Sequence, residues 1–218
     1  MPRNNMRLYL SSYGIGNHPE ELIKIVGENK KAAVIVNAGD LNTPEGRAER
    51  LQQEITNLSN LGFEPEELDL RQYFGKEIEL KNRLSQFGLV WVRGGNSFIL
   101  RRAYTQSGFE NIIKDLLEKD SLVYGGYSAA ICVIQPSMHG TELVDDPTSI
   151  PDGYKPEFDW NGLNLINYHV AVHYKSDHKE SADVDKEVEY LEKNNIPYKP
   201  LRDGEVIVIR NDIERIVG

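Results

Sequence analysis

The sequence predicts an α/β fold: three layers, with a mostly parallel sheet carrying helices on both faces. Short apolar, β-prone runs alternate with longer segments of helical spacing from residue 6 to residue 134. The runs are apolar throughout, as in Ala-Ala-Val-Ile-Val at 32–36 and Leu-Val-Trp-Val at 89–92, which is the pattern of strands buried on both faces. Several runs close on glycine-bearing turns that lead into a helix, as right-handed crossovers require. In such sheets ligands bind beyond the carboxyl ends of the strands.

Residues 6–10 form the first strand, and the helix that follows opens at Pro19 with Glu20 and Glu21 in its first turn and runs to about Gly27. The intervening Gly14-Ile-Gly16-Asn-His-Pro19 has the start of a dinucleotide fingerprint but puts Pro19 where the third glycine belongs, so no cofactor is expected. Residues 32–37 are a second strand. Thr43-Pro44-Glu45 caps a helix to residue 60, with Leu51, Ile55 and Leu58 at helical spacing. Residues 63–70 read as a third strand, 75–85 as a short helix, and 87–92 as a fourth strand opening into Arg93-Gly94-Gly95-Asn96-Ser97. Two helices follow, divided at Ser107-Gly108.

The fifth run, Leu122-Val-Tyr124, is expected to break at Gly125-Gly126, and the short-chained segment 129–134 is expected to be a helix packed closely on the sheet. Residues 135–160 read as a loop, with four prolines and the acids Glu142, Asp145 and Asp146. Residues 162–167 and 170–173 read as short β segments and 179–194 as an amphipathic helix. Residues 197–202, 206–210 and 213–217 then form a meander turning at Asp203-Gly204 and Asn211-Asp212. No repeat, linker or low-complexity segment divides the chain, so residues 1–218 are read as one domain.

A formal net charge of −9 disfavours nucleic acid and anionic membrane as partners, since both select clustered Lys and Arg. The single cysteine, Cys132, excludes an internal disulfide and fits a reducing compartment. No run approaches a membrane span and the first residues hold no apolar leader core, so a cytoplasmic protein is expected. Monomer and homodimer are equally compatible with the composition.

Gly126-Tyr127-Ser128-Ala129-Ala130 places a serine at the apex of a strand-to-helix turn, the setting of a nucleophile elbow. A serine needs a base to take its proton, and the base needs an acid to orient it. His173 ends a strand-like run on the serine's side of the sheet. Asp145 and Asp146, between the two, are both eligible acids. Gly94 and Gly95 allow close backbone approach, and their N–H groups with that of Ala129 would form an oxyanion hole. Arg93, Asn96 and Tyr127 stand at the same strand ends as candidate substrate contacts. His169, His173 and His178 do not fall into a zinc-binding pattern, so no metal is expected.

Val92-Arg-Gly-Gly-Asn-Ser-Phe98, Tyr124-Gly-Gly-Tyr-Ser-Ala-Ala130 and Gly162-Leu-Asn-Leu165 leading to Val172-His-Tyr174, in that order, resemble the peptidase E (aspartyl dipeptidase) family. The resemblance implies a fold similar to class I glutamine amidotransferases and a serine peptidase acting on short peptides. It implies Ser128 as nucleophile, His173 as base, Gly95 with Ala129 N–H as oxyanion hole, and the acid in an Asp-x-Pro setting. Asp145-Asp146-Pro147 fits that setting, with Asp145 favoured and Asp146 next to it. Two departures stand out: Ala130 replaces the family's glycine, and the helix after His173 carries acids where aspartyl dipeptidases place an arginine. An acidic pocket there argues against an aspartyl substrate and towards relatives of unassigned substrate. The rival readings are a non-peptidase amide hydrolase and a catalytically inactive binding module on the same fold. Cys132 as nucleophile is disfavoured because it lies one turn beyond the apex.

Overall fold

A computed structural model of the chain describes residues 6–211 and 213–218. Its elements run β1 (Arg7–Ser11), α1 (Pro19–Val26), β2 (Lys31–Ile35), α2 (Pro44–Asn60), β3 (Glu64–Glu67), α3 (Glu77–Leu84), β4 (Leu89–Val92), α4 (Ser97–Ser107), α5 (Phe109–Glu118), β5 (Val123–Tyr127) and α6 (Ala129–Cys132). After a long connection come β6 (His169–Ala171), α7 (Ser181–Lys193), β7 (Tyr198–Pro200), β8 (Val206–Arg210) and β9 (Ile213–Val217). The main sheet has the order β3-β2-β4-β5-β1-β8-β9. It is parallel from β3 to β1, and β8 and β9 add antiparallel at one edge.

The apolar runs become central strands because both their faces are covered. Leu8 and Leu10 point into a core shared with Phe98, Ile113 and Ile131, while Tyr9 between them faces Leu22, Trp91 and Val208 on the other side. Helix starts follow their caps. Thr43 Oγ1 accepts from Gly46 N, and Asn96 Oδ1 accepts from Phe98 N and Ile99 N.

Four expectations need correction. Gly125 and Gly126 do not break the fifth strand, which runs through them to Tyr127. A Cβ on Gly125 would meet the Trp91 ring at 3.1 Å, and one on Gly126 would meet the Val92 carbonyl at 2.3 Å. The glycines are there for close packing. Helix α6 stops at Cys132, short of residue 134. Residues 162–167 are not a strand; Leu163 N and Leu165 N instead bond Val133 O and Ile134 O, tying the loop to the end of α6. Finally, β7 leaves the expected meander and pairs in parallel with β6. The crossover helix α7 covers that small sheet, packing Val184 and Val188 on Ala171. Residue 212 of the expected Asn211-Asp212 turn lies outside the described residues.

The long loop is held by a buried cation. Arg102, 2% exposed, donates from one terminal nitrogen to Pro147 O (2.8 Å) and Pro156 O (3.0 Å). Carbonyls from two places are thereby fixed over α4.

Candidate active site

β4 and β5 are adjacent, with Val92 beside Gly126, so the residues that follow them emerge at one edge of the sheet. From β5 the chain turns at Ser128 (φ 52°, ψ −113°) directly into α6. A non-glycine residue with that backbone is strained, and such strain persists where the surroundings fix it. The Ser128 side chain does not cap α6, which leaves the hydroxyl uncommitted to the helix. On the facing turn, a Cβ at Gly94 would stand 2.9 Å from Ser128 Cβ, and Gly95 has φ +152° with Ala38 O 2.7 Å from where its Cβ would be. Only glycine lets the two turns approach this closely. Ala129 opens α6, so its N–H has no carbonyl within the helix to bond.

His173 follows β6 by two residues and also has a left-handed backbone, φ 57°. Its Nδ1 lies 2.7 Å from Asp203 Oδ1. Its backbone N–H donates to Ser12 Oγ at 2.8 Å, and that hydroxyl donates to the same Asp203 oxygen at 2.8 Å. Asp203 N donates to Ser176 Oγ. Burial holds the imidazole below its usual titration range, with Asp203 partly opposing the shift. The ring is therefore neutral near pH 7, and with Nδ1 against a carboxylate the free Nε2 is the basic nitrogen. His178 stacks on it face to face, with centroids 3.7 Å apart and planes 7° from parallel.

Ser128, His173, Gly94 and Gly95 line one cleft of about 230 Å³. Arg93 and Tyr127, the candidate substrate contacts, also line it, but they are tied to each other and to Glu54 on α2. Asn96 is engaged elsewhere: it caps α4 and donates to Asp146 O. The acids expected to serve His173 do not reach it. Asp145 Oδ2 accepts from Ser97 N at the start of α4, and burial pushes its carboxyl up to about 6. Asp146 accepts from Thr148 and Ser149. The loop bends towards α4 rather than β6, so Asp203 stands where Asp145 or Asp146 was expected. Cys132 is buried, with its thiol pushed well up by desolvation.

Besides Asp203, sequence reasoning missed three residues of the cleft and its surroundings: Ser12, Glu54 and Arg50. Arg50 projects from α2 into the cleft, and among the described residues it has no ion-pair partner. Lys179 and Glu180 line the opposite wall. The helix after His173 supplies no arginine, as expected, but the cleft is not simply acidic. Among the described residues, only His173, His178 and Glu180 bring three potential ligand atoms within 4.8 Å of one another.

Residues 15–217 match the family described as Peptidase family S51. The chain belongs to that family. It is thereby a serine-type peptidase. Peptidase E of Streptomyces coelicolor is 32% identical over 136 residues, which is 60% of this chain and 52% of that protein. A Drosophila melanogaster protein assigned as an alpha-aspartyl dipeptidase is 26% identical over 134 residues, 59% of this chain and 52% of its own. The match thus spans about half of either relative. A Listeria monocytogenes protein crystallised as a candidate peptidase E superposes with a TM-score of 0.78 over 98% of both chains at 21% identity. The S51 chain accordingly has the class I glutamine amidotransferase-like fold. No helix among its described residues is long and apolar enough to cross a membrane.

Proposed function

We propose that this S51 peptidase hydrolyses short peptides through an acyl-enzyme, with Ser128 as nucleophile, His173 as general base and Asp203 as the acid that orients it. The single observation that carries the reading is the shared cleft. The strained turn at Ser128 and the imidazole of His173, whose Nδ1 is held by Asp203, open into one space. Ser128 Oγ attacks the scissile carbonyl while its proton passes to His173 Nε2. The developing oxyanion meets the N–H groups of Gly95 and Ala129. His173 then gives the proton to the leaving amine, and water, deprotonated by the same nitrogen, releases the acyl group. Asp203 remains ionised throughout and stabilises the imidazolium as it forms.

Arg50, which has no ion-pair partner among the described residues, supports a substrate with an anionic group near the scissile bond, because a guanidinium without a carboxylate has its donors available. The cleft's size favours a dipeptide over a longer chain. A panel of dipeptides differing only in the charge of the first residue tests both points. Ser128→Ala should abolish turnover on every member, and Arg50→Gln should raise KM for the acidic members alone. Turnover retained by Ser128→Ala would refute the mechanism. A uniform effect of Arg50→Gln would refute the specificity.

A further inference from the structure

Helix α2 is a largely solvated helix with two buried residues, Leu58 and Glu54. A glutamate that is 2% exposed requires compensation for its lost hydration, and Glu54 receives it from three donors. Trp91 Nε1 donates to its Oε2 at 2.9 Å, while Arg93 Nη1 (2.6 Å) and the Tyr127 hydroxyl (2.7 Å) both donate to Oε1. Arg93 Nη1 also donates to the Tyr127 hydroxyl oxygen at 2.6 Å. Trp91 and Arg93 are two apart on β4 and its extension, so both point to the α2 face of the sheet. Tyr127 is the last residue of β5.

The placement of these partners gives the cluster its meaning. Arg93 immediately precedes Gly94-Gly95, and Tyr127 immediately precedes Ser128-Ala129. One buried carboxylate thus grips the two residues from which the oxyanion turn and the nucleophile turn depart. The turns meet with no slack: a Cβ on Gly94 would lie 2.9 Å from Ser128 Cβ and 3.1 Å from the Tyr127 ring. Burial, and then the charge of Glu54, push the Tyr127 hydroxyl far above its usual range, so it stays a neutral donor.

We propose that Glu54 is a positioning residue for catalysis, setting the separation between the turn that carries Ser128 and Ala129 and the oxyanion donor of Gly95. The proposal rests on the serine mechanism given above. It assigns Glu54 no contact with substrate; Glu54 acts through Arg93 and Tyr127. A displacement of about 1 Å in such a constellation costs on the order of 100-fold in rate, comparable with losing an oxyanion donor.

The experiment compares wild type with Glu54→Gln, Glu54→Ala and Tyr127→Phe, each titrated with a fluorophosphonate to count active sites. Turnover per titrated site should fall about 100-fold in Glu54→Ala, the loss of a mispositioned constellation, with KM nearly unchanged, and the loss should be smaller in Glu54→Gln. Affinity for a peptide aldehyde, which forms the tetrahedral adduct, should fall in parallel with turnover, while affinity for the dipeptide product should hold. A structural role alone would lower melting temperature and the titrated fraction but leave turnover per site and aldehyde affinity intact, and that result overturns the proposal. If Glu54→Ala does not fold, Tyr127→Phe and Glu54→Gln decide by the same two readouts. Absence of labelling in wild type would instead refute the serine mechanism, and the proposal with it.

Discussion

His173 Nδ1 and Asp203 Oδ1 stand 2.7 Å apart although thirty residues separate them, because β6 and β7 pair in parallel and both residues lie just past their strands' carboxyl ends. The serine, the histidine and the aspartate therefore follow one another in chain order, with the acid last.

From this contact it follows that Asp203→Asn should lower kcat on the order of 100-fold to 10,000-fold, as loss of a triad carboxylate does. Asp145→Asn should leave kcat within a few fold. Because Asp203 raises the His173 titration that burial lowers, the acid limb of kcat/KM should begin below the ordinary histidine range. It should move lower still in Asp203→Asn. Steady-state rates across pH for the three proteins check all of this, and a larger loss in the Asp145 variant would reassign the acid.

Glu187 on α7 is 2% exposed, its Oε1 has no hydrogen-bond partner among the described residues, and burial followed by the charge of Asp145 pushes its carboxyl up to about 8. A carboxyl raised on folding contributes stability that is complete below its unfolded value, near 4.5, and lost as pH rises through 8. Melting temperature should therefore fall between pH 5 and pH 8.5, and Glu187→Gln should flatten that dependence, with an amplitude of about 2–4 kcal/mol. Thermal unfolding at several pH values provides the measurement; an identical slope in the variant would count against Glu187.

Gly126 has Val92 O at 2.3 Å and Ala130 Cβ at 2.7 Å from the Cβ it lacks. Gly126→Ala should cost about 3 kcal/mol by overpacking, read as a lower midpoint in urea. Ala130 is accommodated because Gly126 has no Cβ: its methyl group stands 2.7 Å from where that atom would be.

The central strands were legible because they are apolar on both faces, and runs such as 32–36 and 89–92 read as buried strands without tertiary context. The turn at Ser128 was legible for a different reason: Gly126, Ala129 and Ala130 are small enough to let a strand turn sharply into a helix around a serine. Asp203 was not, since Asp203-Gly204 looks like an ordinary hairpin turn and residues 197–202 like one arm of a meander. The distinguishing signal was the helix at 181–193, which makes the two short strands flanking it a crossover unit with neighbouring carboxyl ends. Glu54 left no local trace, because a lone glutamate on a charged helix shows its burial only once Trp91 and Tyr127 have been brought over it. Asp145 misled through its Asp-x-Pro setting, which describes a loop and not the direction in which that loop bends.

The most direct test of the account is to treat the protein with a fluorophosphonate and locate the adduct by peptide mass spectrometry. The account predicts a single adduct on Ser128, absent in Ser128→Ala and formed far more slowly in His173→Gln. An adduct on another residue, or a folded wild-type protein that takes no label, would contradict it.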